Sequence, residues 1–202
     1  TPPLRTSGLL LAGGQSRRMG RDKLSLKVGG VPLIRRVHDV LASRCDEVAA
    51  VVGVDYAPGM ENVRRVSDLR PGRGPLAGME AGMEAASYPL VFVAAGDMPF
   101  VPGDLIEFLL GRVAAGASAA VPMCRGRRHP LCAAYDRRIL PVVSSALDEG
   151  IGAVRVLLEI LDGVEYVDED LRRFGDPDVF LMNVNSPEDL ERARSASRGG
   201  RA

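Results

Sequence analysis

The sequence predicts a three-layer α/β/α domain built on a mostly parallel sheet, and three features carry that expectation. Short, nearly continuous apolar runs alternate with longer stretches whose apolar residues recur at helical spacing. The runs lack the in-and-out alternation of a half-exposed sheet, which marks strands buried on both faces. The chain has 202 residues, 46% of them hydrophobic, enough for one domain with a substantial core and too few for two packed ones.

In chain order, strands are expected at 8–12, 47–52, 62–66, 90–95 and 118–122. Helices are expected at 32–42, where Leu33, Ile34, Val37, Val40 and Leu41 line one face, and at 76–86, 102–114 and 137–147. Strand and helix in alternation require right-handed crossovers, which distribute the helices over both faces of the sheet. Beyond about Arg125 the texture changes: 129–135 and 163–167 read as further strands, expected as antiparallel additions at the sheet edge. Ser186 as N-cap, Pro187 at the first position and Asp189 at the third start a last helix. The organised unit is expected to run from 7 to 195, with 1–6 and 196–202 as polar, glycine-bearing tails.

Composition excludes several classes of function. Lys+Arg and Asp+Glu each number 26, so the formal charge is zero and neither nucleic acid nor an anionic membrane is an expected partner. No apolar run approaches the roughly 20 residues that span a bilayer, and nothing marks the chain for export. Cys45, Cys124 and Cys132 form no CxxC pair, which argues against a disulfide framework or a structural zinc and for a reducing, cytoplasmic setting.

Ligands of such sheets bind beyond the carboxyl ends of the strands, so the loops there carry the chemistry. The first is LAGGQSRRMGRDK, residues 11–23. Gly13 and Gly14 let backbone approach a ligand closely, consecutive amides can cradle a phosphate, and Arg17, Arg18, Arg21 and Lys23 add positive charge. The run matches neither GxxxxGK[ST] nor GxGxxG, which removes support for a kinase or a dinucleotide enzyme. The second is VSDLRPGRGPLAG, residues 66–78, where Gly74 and Pro75 open a helix whose free amides are placed to face an anion. The third is AAGDMPF, residues 94–100: Asp97 directly follows an apolar strand and offers a hard oxygen for Mg²⁺. Asp104 is available to cap the next helix, which leaves Asp97 for another task. In the fourth, NVNSPEDL, residues 183–190, Asn183 and Asn185 alternate along the chain and are expected to present their amides the same way.

LAGGQSRRMGRDK, GPLAGMEAG, AAGDMPF, RRHPL and NVNSPEDL, in this order, resemble the molybdenum cofactor guanylyltransferase family, and the resemblance spans roughly residues 8–194. It implies a Rossmann-like nucleotidyltransferase fold and transfer of GMP from GTP to molybdopterin carrying molybdenum, with Mg²⁺ and release of pyrophosphate. It further implies that the backbone of Leu11, Ala12, Gly13 and Gly14 holds the guanine and ribose and that Lys23 neutralises the triphosphate. Asp68, with Gly74, Pro75 and Leu76, would meet the nucleoside, and Asp97 would hold Mg²⁺. Arg17 would act on the phosphates, and Arg18, Asn183 and Asn185 would face the acceptor. Such enzymes pass their product to molybdoenzymes or cofactor-insertion proteins. Ala12-Gly13-Gly14 and GPLAG favour guanine over cytosine. The family's asparagine after the second strand is missing from Val51-Val-Gly-Val-Asp55, where Asp55 offers a carboxylate in its place.

Other readings share some of these residues. A nucleotidyltransferase using CTP or another phosphorylated acceptor would have the same fold and phosphate loop. A non-catalytic nucleotide binder would not need a metal carboxylate beside a triphosphate lysine. A nucleotide-sugar glycosyltransferase would bring a DxD after a central strand, whereas Asp176-Pro177-Asp178, near the C-terminus, suits a turn. His129 is expected to be structural, and Cys124, His129 and Cys132 are too irregularly spaced to read as a metal site.

Overall fold

A computed structural model describes residues 5–12, 25–52, 60 and 63–199 of the chain. Strand β1 (Thr6–Leu11) is followed by a small hairpin, β2 (Lys27–Val28) and β3 (Val31–Pro32), and by helix α1 (Leu33–Arg44). Then come β4 (Glu47–Val52), β5 (Arg64–Ser67), α2 (Pro75–Ala85), β6 (Leu90–Ala95), α3 (Gly103–Ala114), β7 (Ala119–Cys124), β8 (Arg127–Arg128) and β9 (Cys132–Asp136). The chain closes with α4 (Leu140–Asp148), α5 (Val154–Ile160), β10 (Val164–Val167), α6 (Pro177–Phe180) and α7 (Pro187–Gly199). The main sheet has the order β10-β7-β9-β6-β1-β4-β5, with β8 paired to β7.

Side-chain alternation along the buried strands divides the core into two faces. Leu10, Ala50 and Phe92 pack with Ile34, Val37 and Leu41 of α1 and Leu105 and Leu109 of α3. Leu9, Leu11, Val51, Val91 and Val93 pack on the other face with Leu76 and Met79 of α2, Val143 and Leu147 of α4 and Leu157 of α5. This is the expected three-layer arrangement. Gly82 sets how closely α2 approaches the sheet, because a Cβ there would lie 2.7 Å from Leu9 Cδ1 and 3.1 Å from Val51 Cγ2.

The expected placement of the late strands needs correction. β9 is antiparallel but interior, paired with β6 on one side and β7 on the other, while the edge strand β10 runs parallel to β7. Burial explains the choice. All five residues of β9 are buried, so both of its hydrogen-bonding edges need partners, whereas β10 is mostly half-buried and tolerates an edge. β9 begins at Cys132, so His129 belongs to the preceding turn. Thr6 lies in β1 and α7 continues to Gly199, so parts of both expected tails are structured; Asn62 lies outside the described residues.

The amino edge of the sheet is held by carboxylates. Glu47 accepts from Ser7 Oγ at 2.6 Å and from Ser87 N and Oγ at 2.6 and 2.9 Å, and pairs with Arg64 Nη1 at 3.1 Å. Asp136 accepts from Arg138 N, Nε and Nη2 at 2.8, 2.9 and 2.6 Å. Burial alone would push both carboxyls up, but these donors outweigh it and hold both below their ordinary values of 4.5 and 3.8. A depressed folded-state pKa contributes stability that is present above the unfolded value and lost as pH falls through the folded one. The urea midpoint is therefore expected to be flat above about pH 5 and to fall between roughly pH 5 and 3, with a shallower fall in Glu47→Gln. Parallel curves for the two proteins would remove Glu47 as a cause.

Candidate active site

At the carboxyl edge, β1 lies between β6 and β4: the chain leaves β1 toward β4 and β5, then crosses back to β6 on the other side. That reversal opens a crevice where ligands of open α/β sheets bind. Ala12 N donates to Val51 O at 2.9 Å and Gly96 N donates to Leu11 O at 3.0 Å, so Leu11, Ala12 and the Gly96-Asp97 turn meet at its floor.

Asp97 is 8% exposed. Met98 N donates to Ala95 O at 3.2 Å and closes a tight turn around it. A segment distant in sequence braces it: Asn183 Nδ2 donates to Asp97 Oδ1 at 3.0 Å and Val184 N to Asp97 O at 2.9 Å. The buried Val184 in turn packs with Leu190 and Ala193 of α7, Val28 of β2 and Leu33 at the start of α1. The described residues that precede the basic segment, Leu11 and Ala12, stand at the crevice, and those that follow it, in the β2–β3 hairpin, pack against the segment that holds Asp97. Arg36 adds a link, its Nε donating to Val28 O at 2.9 Å and its guanidinium standing 5.9 Å from the Phe100 ring centroid. Gly13, Gly14, Arg17, Arg18, Lys23 and Asp55 lie outside the described residues.

The expected parity of Asn183 and Asn185 does not hold. Residues 182–185 are irregular, Asn183 turns to Asp97, and Asn185 is exposed. Asn185 N and Ser186 N both donate to Asp189 Oδ2 at 3.1 Å, and Asp189 N donates to Ser186 Oγ at 3.1 Å, a reciprocal cap for α7. Asp104 does not cap α3 either. It is exposed and pairs with Arg44 Nη2 at 3.1 Å, while Pro102 stands at the cap without a side-chain hydrogen bond. Asp176 caps α6 by accepting from Asp178 N at 3.0 Å and Asp178 pairs with Arg125, so the DxD spacing is a helix start.

The loop between β5 and α2 is built differently from expectation. Asp68 Oδ1 accepts from Arg70 N at 2.8 Å in an Asx turn. Gly74 has φ +83°, a conformation glycine adopts without strain, and a Cβ there would meet Gly152 O at 2.8 Å. Leu76 N donates to Gly152 O at 3.2 Å, Ala77 N to Gly74 O at 3.2 Å, and Pro75 has no N–H. These first-turn amides of α2 are engaged within the protein and do not form an open anion cradle. Arg70, Glu80 and Gly152, which hold this loop, went unremarked in the sequence; the readable signal was Glu80, a carboxylate inside the apolar helix LAGMEAGM.

Three of the remaining thiol and imidazole groups are silent at neutral pH. Burial pushes the Cys45 and Cys132 thiols up to about 12. Burial, aided by the charge of Arg127, brings His129 down to about 4, so its imidazole is neutral. Among the described residues no cluster of three or more His, Cys, Asp or Glu forms a ready-made metal cage. Asp97 is the one buried carboxylate at the carboxyl edge among the described residues, since Asp136 sits at the opposite edge and Glu80 within α2.

A buried carboxylate at the switch point of an α/β sheet suits the charge neutralisation that nucleotidyl transfer requires, and that is the class to which the relatives of this chain belong. The family model for the MobA-like NTP transferase domain matches residues 8–164, and the chain belongs to that family. It is 34% identical over 199 residues to a molybdenum cofactor guanylyltransferase of Desulfosudis oleivorans, covering 96% of this chain and 97% of that one. It is 36% identical over 190 residues to one of Pseudomonas putida, covering 91% and 94%. Among solved structures, molybdopterin-guanine dinucleotide biosynthesis protein A of Archaeoglobus fulgidus superposes with a TM-score of 0.81 at 29% identity, over 96% of this chain and 99% of that one.

Proposed function

We propose that this enzyme transfers GMP from GTP to molybdopterin carrying molybdenum and releases pyrophosphate. The observation that carries the proposal is the match over nearly the whole chain to guanylyltransferases, with Asp97 at the switch point. A terminal phosphate oxygen of the acceptor attacks the α-phosphorus of GTP; the new P–O bond forms as the bond to the β-phosphate oxygen breaks and pyrophosphate departs. The attacking atom is already an oxyanion, so no strong general base is required, and catalysis rests on alignment and charge neutralisation. The neutral His129 and protonated Cys45 and Cys132 are consistent with such a reaction.

Mg²⁺ fits the donors present: a single hard carboxylate, Asp97, suits a cation that takes one or two carboxylates and completes its shell with substrate phosphates and water. When bound, it supplies charge neutralisation across phosphate oxygens. Asn183 holds the Asp97 carboxylate in place. In this reading Leu11 to Gly14 seat guanosine against backbone, Asp68 and the Gly74-Pro75-Leu76 turn meet the nucleoside, Lys23 and Arg17 face the phosphates, and Arg18, Asn183 and Asn185 face the acceptor. The cytoplasm is the proposed setting, in keeping with Cys45, Cys124 and Cys132 as free thiols, and the product would pass to molybdoenzymes or cofactor-insertion proteins. Among the described residues no helix is long and apolar enough to cross a membrane.

The test is acceptor-dependent pyrophosphate release by purified protein with Mg²⁺ and molybdenum-loaded molybdopterin, comparing GTP, CTP and ATP. GTP-specific release is expected; preference for CTP would replace the assigned base, and GTP binding without acceptor-dependent release would sink the assigned acceptor. Lys23→Ala is expected to lower kcat/KM for GTP about 10²-fold by removing a phosphate countercharge. An effect below threefold would take Lys23 out of the site.

A further inference from the structure

We propose that Arg70 is a positioning residue for GTP, acting through Asp68; the inference rests on the proposed contact of Asp68 with the nucleoside. Three attachments converge on this one residue of the β5–α2 loop. Its guanidinium reaches into the protein to Glu80 of α2, with Nη2 donating to Oε1 at 3.2 Å and Nε standing 2.9 Å from Oε2. Nη1 donates to Asp148 Oδ1 at the end of α4 at 2.5 Å. Its own backbone N–H donates to Asp68 Oδ1 at 2.8 Å. The side chain therefore fixes the place of the peptide unit that orients the Asp68 carboxylate.

Glu80 makes a purely structural explanation insufficient. It is 3% exposed, and Oε2, although close to Nε, has no hydrogen-bond geometry to any partner among the described residues. A buried ion pair with one incompletely satisfied oxygen is a poor source of stability, and an apolar pair of similar volume commonly serves as well. What the pair provides here is location. Leu69, next in sequence to both Asp68 and Arg70, is 57% exposed, so the loop has little apolar burial of its own to hold it. Its other anchor lies downstream, where Gly152 O accepts from Leu76 N. Asp148 ends α4 and Gly152 lies within the short connection to α5, so this one stretch grips the loop at both points.

Of Asp68's oxygens, Oδ1 is taken by Arg70 N and Oδ2 has no hydrogen-bond partner among the described residues. A carboxylate held by one oxygen with the other available suits acceptance of a hydroxyl or amine proton of a nucleoside.

The experiment measures GTP affinity by titration calorimetry, without acceptor, below the melting temperature of every variant: Arg70→Ala, Asp68→Ala, the double variant, and Arg70→Met with Glu80→Met. Arg70→Ala is expected to weaken GTP binding about tenfold, the scale of one misplaced hydrogen bond to a charged group. Adding Asp68→Ala is expected to cost nothing further, because both changes remove one contact. The apolar pair is expected to melt like the parent yet bind GTP as weakly as Arg70→Ala. Additive effects, an unchanged affinity in folded Arg70→Ala, or parental affinity in the apolar pair would each overturn the proposal. A parent that binds GTP but fails to turn it over with the acceptor would sink the proposed reaction and leave this role standing.

Discussion

Asp97→Asn is expected to lower kcat/KM for GTP-dependent pyrophosphate release about 10³-fold while the protein stays folded, a loss of about 4 kcal/mol of transition-state stabilisation. Asparagine has the same shape and keeps a carbonyl oxygen able to accept from Asn183 Nδ2, and the backbone bond from Val184 N to residue 97 is untouched. What disappears is one negative charge at the switch point, where among the described residues no second buried carboxylate stands at that edge. Because the shape and the bonds from Asn183 and Val184 are kept, the melting temperature is expected to stay within a few degrees of the parent's. Steady-state kinetics with a thermal melt on the same preparation separate the two effects. Activity within threefold of the parent would remove Asp97 as the metal carboxylate; a matching collapse of stability would reduce it to a structural residue.

The second large effect comes from adding one methyl group at Gly152. A Cβ there would lie 2.2 Å from Arg73 O and 3.1 Å from Arg73 C, and these are backbone atoms that no rotamer change can move aside. Gly152→Ala must push the α4–α5 connection away from residues 73–76, breaking the Leu76 N to Gly152 O bond that seats the start of α2. Overpacking of this kind costs about 1–3 kcal/mol, which for a domain of this size lowers the melting temperature by roughly 2–4 °C per kcal/mol. Weaker GTP binding is expected alongside, since the displaced turn carries Gly74, Pro75 and Leu76. Gly111→Ala is the control: it lies in α3 with no atom within 4 Å of its Cβ position and is expected to gain roughly 0.5–1 kcal/mol. Equal melting temperatures for the two variants would show that the described approach of Gly152 to Arg73 does not constrain the protein.

These two residues differ in how readily they could be found. Asp97 was legible because a carboxylate ending an apolar strand is a local pattern with a geometric meaning. Gly152 sits in a stretch, Glu149-Gly-Ile-Gly-Ala153, with no local peculiarity; its role appears when Arg73 is brought beside it.

The same division runs through the molecule. The identity of the main strands and of helices α1 to α4 and α7, burial on two faces and the switch-point carboxylate follow from periodicity and from residues adjacent in sequence, since local backbone preference and apolar spacing are written within each segment, whereas the β2–β3 hairpin, β8, α5 and α6 were not expected. The sequence by itself also determined the ordered set of motifs by which the chain resembles its family. The interior place of β9 was decided by which strand most needed two hydrogen-bonded edges, a comparison between segments that neither segment contains. The bond from Asn183 to Asp97, the capture of α2's first amide by Gly152, and the hold of Arg70 on Glu80 and Asp148 likewise belong to the tertiary structure alone. Each joins groups far apart in the chain, and their partners are selected by the packing of the sheet and its helices, because a buried polar group takes whichever complementary group the fold carries within reach.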